Sequence, residues 1–116
     1  MLAARFRFHG HGSLKFLHKN ASVSRSRYFT IKVVTNAHRK HSRFAVIVSK
    51  KVHKSAVGRN RIRRRIYEMI RAVQPQFDNT IDLAVIVTSG EALSAAYDDL
   101  NQALLAQFKE LGITHE

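Results

Sequence analysis

The sequence predicts an α/β fold of the α+β kind, a two-layer sandwich built on one mixed sheet, and three observations predict it. Segments 28–34 and 81–87 alternate along the chain with a period of two, as strands do. Between them Ile62, Ile66, Met69, Ile70 and Val73 recur at helical spacing and share one narrow arc of a helical wheel, which is a core-facing stripe. A strand, a helix and a strand in succession imply a parallel pair joined by a crossover.

The first element is an arm. Residues 1–12, MLAARFRFHGHG, are basic, aromatic and punctuated by glycine, and the expectation is a flexible segment ahead of a single RNA-binding domain over 13–116. His9 and His11 make a poor metal motif without a carboxylate or a third fixed nitrogen. Ser13 suits the N-cap of a short helix to about Asn20, with Leu14 and Leu17 facing the core. Phe16 falls on the other side near Lys19, where it either packs at the core edge or stacks on an unpaired base beside a cation.

From Tyr28 to Val34, Phe29, Ile31 and Val33 line one face of a strand and Tyr28, Thr30 and Lys32 the other. The second face fits an ordinary solvated surface and a platform for single-stranded nucleic acid equally well. Asn36 to Ser42 is a polar loop. The apolar run Phe44 to Val48 predicts a buried central strand paired with its predecessor as a hairpin, and Lys50 and Lys51 follow its end.

The helical stretch lies within Lys50 to Arg71. Opposite its apolar arc project Asn60, Arg61, Arg64 and Arg71, with Arg63 and Arg65 flanking the arc. Arg59/Arg63 and Arg61/Arg65 are like-charge pairs four apart, each costing roughly 0.2–0.5 kcal/mol, and Glu68 offsets Arg64 or Arg65 only in part. Arg is the side chain whose planar fork suits phosphate, so this density of it points to a polyanion, and the expected ligand is nucleic acid. Pro75 ends the helix. Ile81, Leu83, Val85 and Val87 alternate with Asp82, Ala84, Ile86 and Thr88 in a strand buried on both sides in its middle. Leu93, Tyr97, Leu100, Leu104, Phe108 and Leu111 make the stripe of a long amphipathic helix, which Gly112 ends. The order is α-β-β-α-β-α, with room for one further short strand.

Charge is distributed unevenly. The chain carries 20 Lys or Arg against 8 Asp or Glu, a net +12, yet residues 1–67 hold 18 of the bases and no acid. A hydrophobic content of 45% separates it from a disordered basic tail, so one side of a folded domain is basic. Cysteine is absent, which removes disulfides and thiolate metal sites and fits a reducing cytoplasm. No apolar run approaches the ~20 residues of a membrane span, and no obligatory protein partner is evident. A metal-dependent nuclease would hold cations with carboxylates near the phosphate-binding surface, and the basic half has none. The histidines His9, His11, His18, His38, His41 and His53 single out no acid/base pair. No catalytic residue is assigned.

Ala56-Val57-Gly58-Arg59-Asn60-Arg61-Ile62-Arg63-Arg64 closely resembles the Ala-x-x-Arg-Asn-Arg-Ile-Lys-Arg signature of the bacterial ribonuclease P protein subunit. Val48-Ser49-Lys50-Lys51 resembles that family's strand-end Val-Ser-Lys-Lys, and the element order matches across roughly residues 13–111. Tyr67 departs from the pattern where a further basic residue is usual, and His53 where an apolar one is common. The resemblance implies a ribosomal-protein-like fold with a left-handed crossover and a subunit that binds a large catalytic RNA. In that enzyme the RNA, with its Mg²⁺, hydrolyses the phosphodiester that releases the 5′ leader of precursor tRNA. By the motif match, Arg59, Asn60, Arg61, Arg63 and Arg64 would contact the catalytic RNA, joined by Lys50, Lys51, Lys54 and Arg65. The leader would lie in a cleft between the first helix and the sheet, with Phe16, Lys19, Tyr28 and Lys32. The runner-up is a ribosomal or RNA-chaperone protein on a similar fold. A histidine-dependent ribonuclease acting alone is a third reading.

Overall fold

A computed structural model describes residues 21–35, 41–77 and 80–114. The expected arm over 1–12 and the helix carrying Phe16 and Lys19 lie outside the described residues. Four strands, β1 (Ser22–Arg25), β2 (Phe29–Thr35), β3 (Arg43–Ile47) and β4 (Ile81–Val87), form one sheet. Two helices, α1 (Ala56–Val73) and α2 (Tyr97–Glu110), complete the described part. The further short strand is β1.

Strand order corrects one expectation. The sheet runs β1-β2-β4-β3, so β2 and β3 are not a hairpin: β4 lies between them, antiparallel to β2 and parallel to β3. The reason lies in burial. In β4 six of seven residues are buried, as suits a strand with a neighbour on each side, whereas the apolar run of β3 is a sheet-edge strand. Coverage hides β3 instead. Its Phe44 and Val46 face the helices, Ala45 packs with Ala84 on the other face, and the Tyr67 hydroxyl accepts a hydrogen bond from the Val46 N–H at 3.2 Å. The parallel β3/β4 pair joined through α1 is as predicted.

One face of the sheet, Phe29, Ile31, Val33, Phe44, Val46, Leu83, Val85 and Val87, packs against both helices in one core. From α1 come Ile62, Ile66, Met69, Ile70 and Val73, the five residues of the helical arc, all buried. From α2 come Leu100, Leu104 and Phe108. Phe77, after Pro75 and a short 3₁₀ turn, stacks between Phe44 and Phe108 with ring centroids 5.7 and 5.5 Å away and ties β3 to α2. Leu93 and Tyr97 do not extend the α2 stripe. The helix starts at Tyr97, which is 46% exposed, because Ser89 caps a separate 3₁₀ turn at Gly90–Ala92. Gly112, at φ 75°, ends α2 as expected.

Two polar features inside this fold carry no apolar signal. Gln107 is 5% exposed, donates from Nε2 to the Ser24 and Phe29 carbonyls, and accepts from Ser26 Oγ, fastening α2 to the β1–β2 turn. Tyr67 closes the β3 edge. Tyr67→Phe should strand the Val46 N–H at an otherwise buried edge and cost about 1–2 kcal/mol. Denaturant unfolding would read that as a lower midpoint at constant slope, and an unchanged midpoint would mean that water reaches this edge.

Candidate nucleic-acid interface

α1 begins where Ser55 Oγ accepts from the Gly58 N–H at 3.3 Å, an N-cap that frees the preceding segment to turn. That segment leaves β3 through a turn in which the Ser49 carbonyl accepts from the Val52 and His53 N–H groups. Lys50, Lys51 and Lys54 are exposed around it. His53 is half-buried: its Nδ1 accepts from the Ser55 N–H at 3.2 Å, and its ring occupies the space a Cβ on Gly58 would need. Glycine at 58 is therefore a close-approach requirement.

The arginines of α1 fall into two groups. Arg61 and Arg64 are exposed and make no hydrogen bond or ion pair with a described residue. Asn60 is exposed and accepts a hydrogen bond from Arg63, which lays that guanidinium along the same surface. Arg59 and Arg65 turn inward. Arg59 Nη1 donates to the His53 and Lys54 carbonyls at 3.0 and 2.9 Å. Arg65 donates from Nη1 to the Ala92 and Leu93 carbonyls at 2.9 and 3.0 Å, and from Nη2 to the Ala95 carbonyl at 2.8 Å. Glu68, expected to offset Arg64 or Arg65, pairs instead with Arg71 at 3.6 Å. The exposed stripe thus keeps its positive charge.

The sheet face away from the helices is a second surface. Cross-strand register places Val23 and Arg25 of β1, Thr30, Lys32 and Val34 of β2, Asp82, Ala84 and Ile86 of β4, and Arg43, Ala45 and Ile47 of β3 on it. Lys32 is half-buried in its middle, opposite Ala84. Asp82, a lone strand acid in the sequence, holds Arg43 in a two-pronged ion pair, Nε to Oδ1 at 2.9 Å and Nη2 to Oδ2 at 2.7 Å. Tyr28 is only 9% exposed and packs in the core beside Phe29, with ring centroids 5.9 Å apart. Arg27 lies 5.4 Å over its ring and pairs with Glu91, whose hydrogen bond raises the guanidinium pKa further. Tyr28 therefore offers no open ring for a base in this arrangement.

Sequence reasoning expected Arg61, Arg64 and the three lysines among the RNA contacts; the structure leaves all five exposed, the lysines on the turn that leads into α1 and the arginines on the helix itself. It missed Arg43 and Arg27, whose roles depend on acids far along the chain. Among the described residues no three of His, Cys, Asp and Glu come together in a metal-binding group. Among them, no helix is long and apolar enough to cross a membrane.

Comparison with known proteins bears on this geometry. A family model described as Ribonuclease P matches residues 2–112. The ribonuclease P protein component of Synechocystis is 37% identical over 73 residues, covering 63% of this chain and 58% of that relative. The chain therefore spans somewhat over half that relative's length. The corresponding protein of Dictyoglomus turgidum is 31% identical over 101 residues, covering 86% of this chain and 82% of its own. The solved RNase P protein of Staphylococcus aureus shares the fold, with a TM-score of 0.83 at 23% identity over 95% of this chain and 98% of that one.

Proposed function

The chain belongs to the ribonuclease P protein family, and from that premise we propose that it is the protein component of a cytoplasmic ribonuclease P. In this reading it docks on the catalytic RNA and helps remove the 5′ leader from precursor tRNA. The observation that carries the reading is the exposed pair Arg61 and Arg64 on α1, with Lys50, Lys51 and Lys54 exposed on the turn that leads into it, and the one acid of α1 paired with Arg71 instead. A ribosomal or chaperone role would use a basic surface too, but nothing in the comparisons favours it.

Docking in this reading is electrostatic. Phosphates displace counterions from Arg61, Arg64 and the lysines, so affinity falls steeply with salt. Asn60 orients Arg63 along the same surface and adds a directional donor. Arg59 belongs to this surface by position, but its fork holds the turn that carries Lys54.

The leader, an unpaired strand, would lie along the second sheet face, with Lys32 contributing charge and Thr30 a hydroxyl. Phe16 and Lys19 belong to the same assignment. Tyr28 enters it as the packed support of Arg27 rather than as a stacking ring.

The Mg²⁺ implied by the family does not fit the protein's own donors. The carboxylates of the described basic surfaces, Glu68 and Asp82, are each engaged with an arginine, and hard cations take clustered oxygens. Hydrolysis and its metal are accordingly assigned to the RNA, and the protein binds and orients.

Reconstitution tests the reading. A bacterial ribonuclease P RNA is incubated with a leader-bearing precursor tRNA at low Mg²⁺, with and without the protein. Stimulated cleavage at the mature 5′ end and no cleavage by protein alone is the expected outcome. Absence of stimulation with the cognate RNA would return the chain to the ribosomal or chaperone reading, and cleavage by protein alone would place a ribonuclease site within it.

A further inference from the structure

We propose that Arg65 acts in RNA docking as a positioning residue, holding the lysine turn through the loop after β4, and does not itself touch RNA. The proposal rests on the docking reading above. Its basis is that both terminal nitrogens of Arg65 are committed to three main-chain carbonyls, Ala92, Leu93 and Ala95, at 2.8–3.0 Å. Three acceptors on one fork fix the loop to α1 in a single orientation.

That loop backs onto the lysine turn. It begins with the 3₁₀ turn Gly90–Ala92, and a Cβ added to Gly90 would sit 3.0 Å from the Val52 carbonyl oxygen. Backbone meets backbone there. Val52 lies inside the turn whose outer residues are Lys50, Lys51 and Lys54. From the helix side Arg59 grips the His53 and Lys54 carbonyls. The lysine turn is thus clamped between Arg59 and the loop that Arg65 holds, and loosening either side lets the three lysines shift relative to α1.

Charge and geometry separate in the test. Affinity of the full-length chain for a bacterial ribonuclease P RNA transcript is measured across a salt series for the wild type, Arg65→Ala, Arg65→Lys, Gly90→Ala and, as a standard, Arg61→Ala. A lysine keeps the charge but cannot span three carbonyls. Arg65→Ala and Arg65→Lys should therefore weaken binding alike, roughly 3- to 10-fold, with matching salt slopes. Gly90→Ala should weaken it in the same direction while removing no charge.

Recovery of wild-type affinity and slope by Arg65→Lys, with a slope about 0.9 lower in Arg65→Ala, would make Arg65 a phosphate contact and overturn the proposal. Wild-type binding by all three variants would overturn it as well. Should Arg65→Ala fail to fold, Arg65→Lys and Gly90→Ala decide the question. Arg61→Ala keeps the two readings apart, since a slope it does not lower counts against the docking surface itself.

Discussion

Replacing Arg61 and Arg64 together by alanine is expected to weaken binding to the catalytic RNA roughly ten- to a hundredfold and to lower the salt slope by about 1.8, or about 0.9 per phosphate contact. The unfolding midpoint should not fall. Both side chains are exposed and bond to no described residue, so truncation strands no buried partner. Alanine is also the better helix former, and its introduction at 61 relieves the like-charge pair with Arg65. A loss of affinity at constant fold can then only report the RNA. The informative quantity is the slope: if affinity drops while the slope stays at the wild-type value, these guanidinium groups do not neutralise phosphate and the interface lies elsewhere.

What the sequence made legible is what periodicity encodes. Ile62, Ile66, Met69, Ile70 and Val73 define a buried arc because side chains 3.6 residues per turn apart must share a face, and the same spacing throws Arg61 and Arg64 outward. Strand neighbours are another matter. Nothing in the run Phe44 to Val48 says whether β2 or β4 lies beside it, since pairing is settled by long-range burial, and β4, apolar on both faces, takes the interior place. β1 was hard to see because SVSR is short and mostly exposed.

The inward turn of Arg59 and Arg65 was equally hidden, for a guanidinium's partner here is a carbonyl, and every residue carries one. One signal did exist for Arg65. It flanks the apolar arc, so its stem runs along the core edge and its head reaches the carbonyls of the loop packed there. Gln107 offered a similar one, as a polar residue on the stripe between Leu104 and Leu111.

The largest stability effect should come from the sheet face away from the helices. Arg43→Met removes the fork that holds Asp82 at 2.9 and 2.7 Å, in a pair whose side chains are 17% and 7% exposed. Removing one partner of a buried ion pair costs up to about 3–5 kcal/mol, less whatever the carboxylate's remaining contacts return, against a total of roughly 5–15 kcal/mol for an ordinary domain. The pair itself need not stabilise the fold to that extent, because bringing both charges out of water offsets much of their attraction. Arg43→Met with Asp82→Leu should therefore recover most of the loss, and a double-mutant cycle by denaturant unfolding measures the difference. A cost under about 1 kcal/mol for Arg43→Met alone would mean that Asp82 is solvated and the pair behaves as a surface contact. Asp82 and Arg43 sit on neighbouring strands, on the face assigned to the leader, which Lys32 and Arg25 share in the register. The double variant thus separates scaffold from binding: it keeps the sheet while removing one positive and one negative charge, so leader-bearing precursor should bind it with an unchanged salt slope.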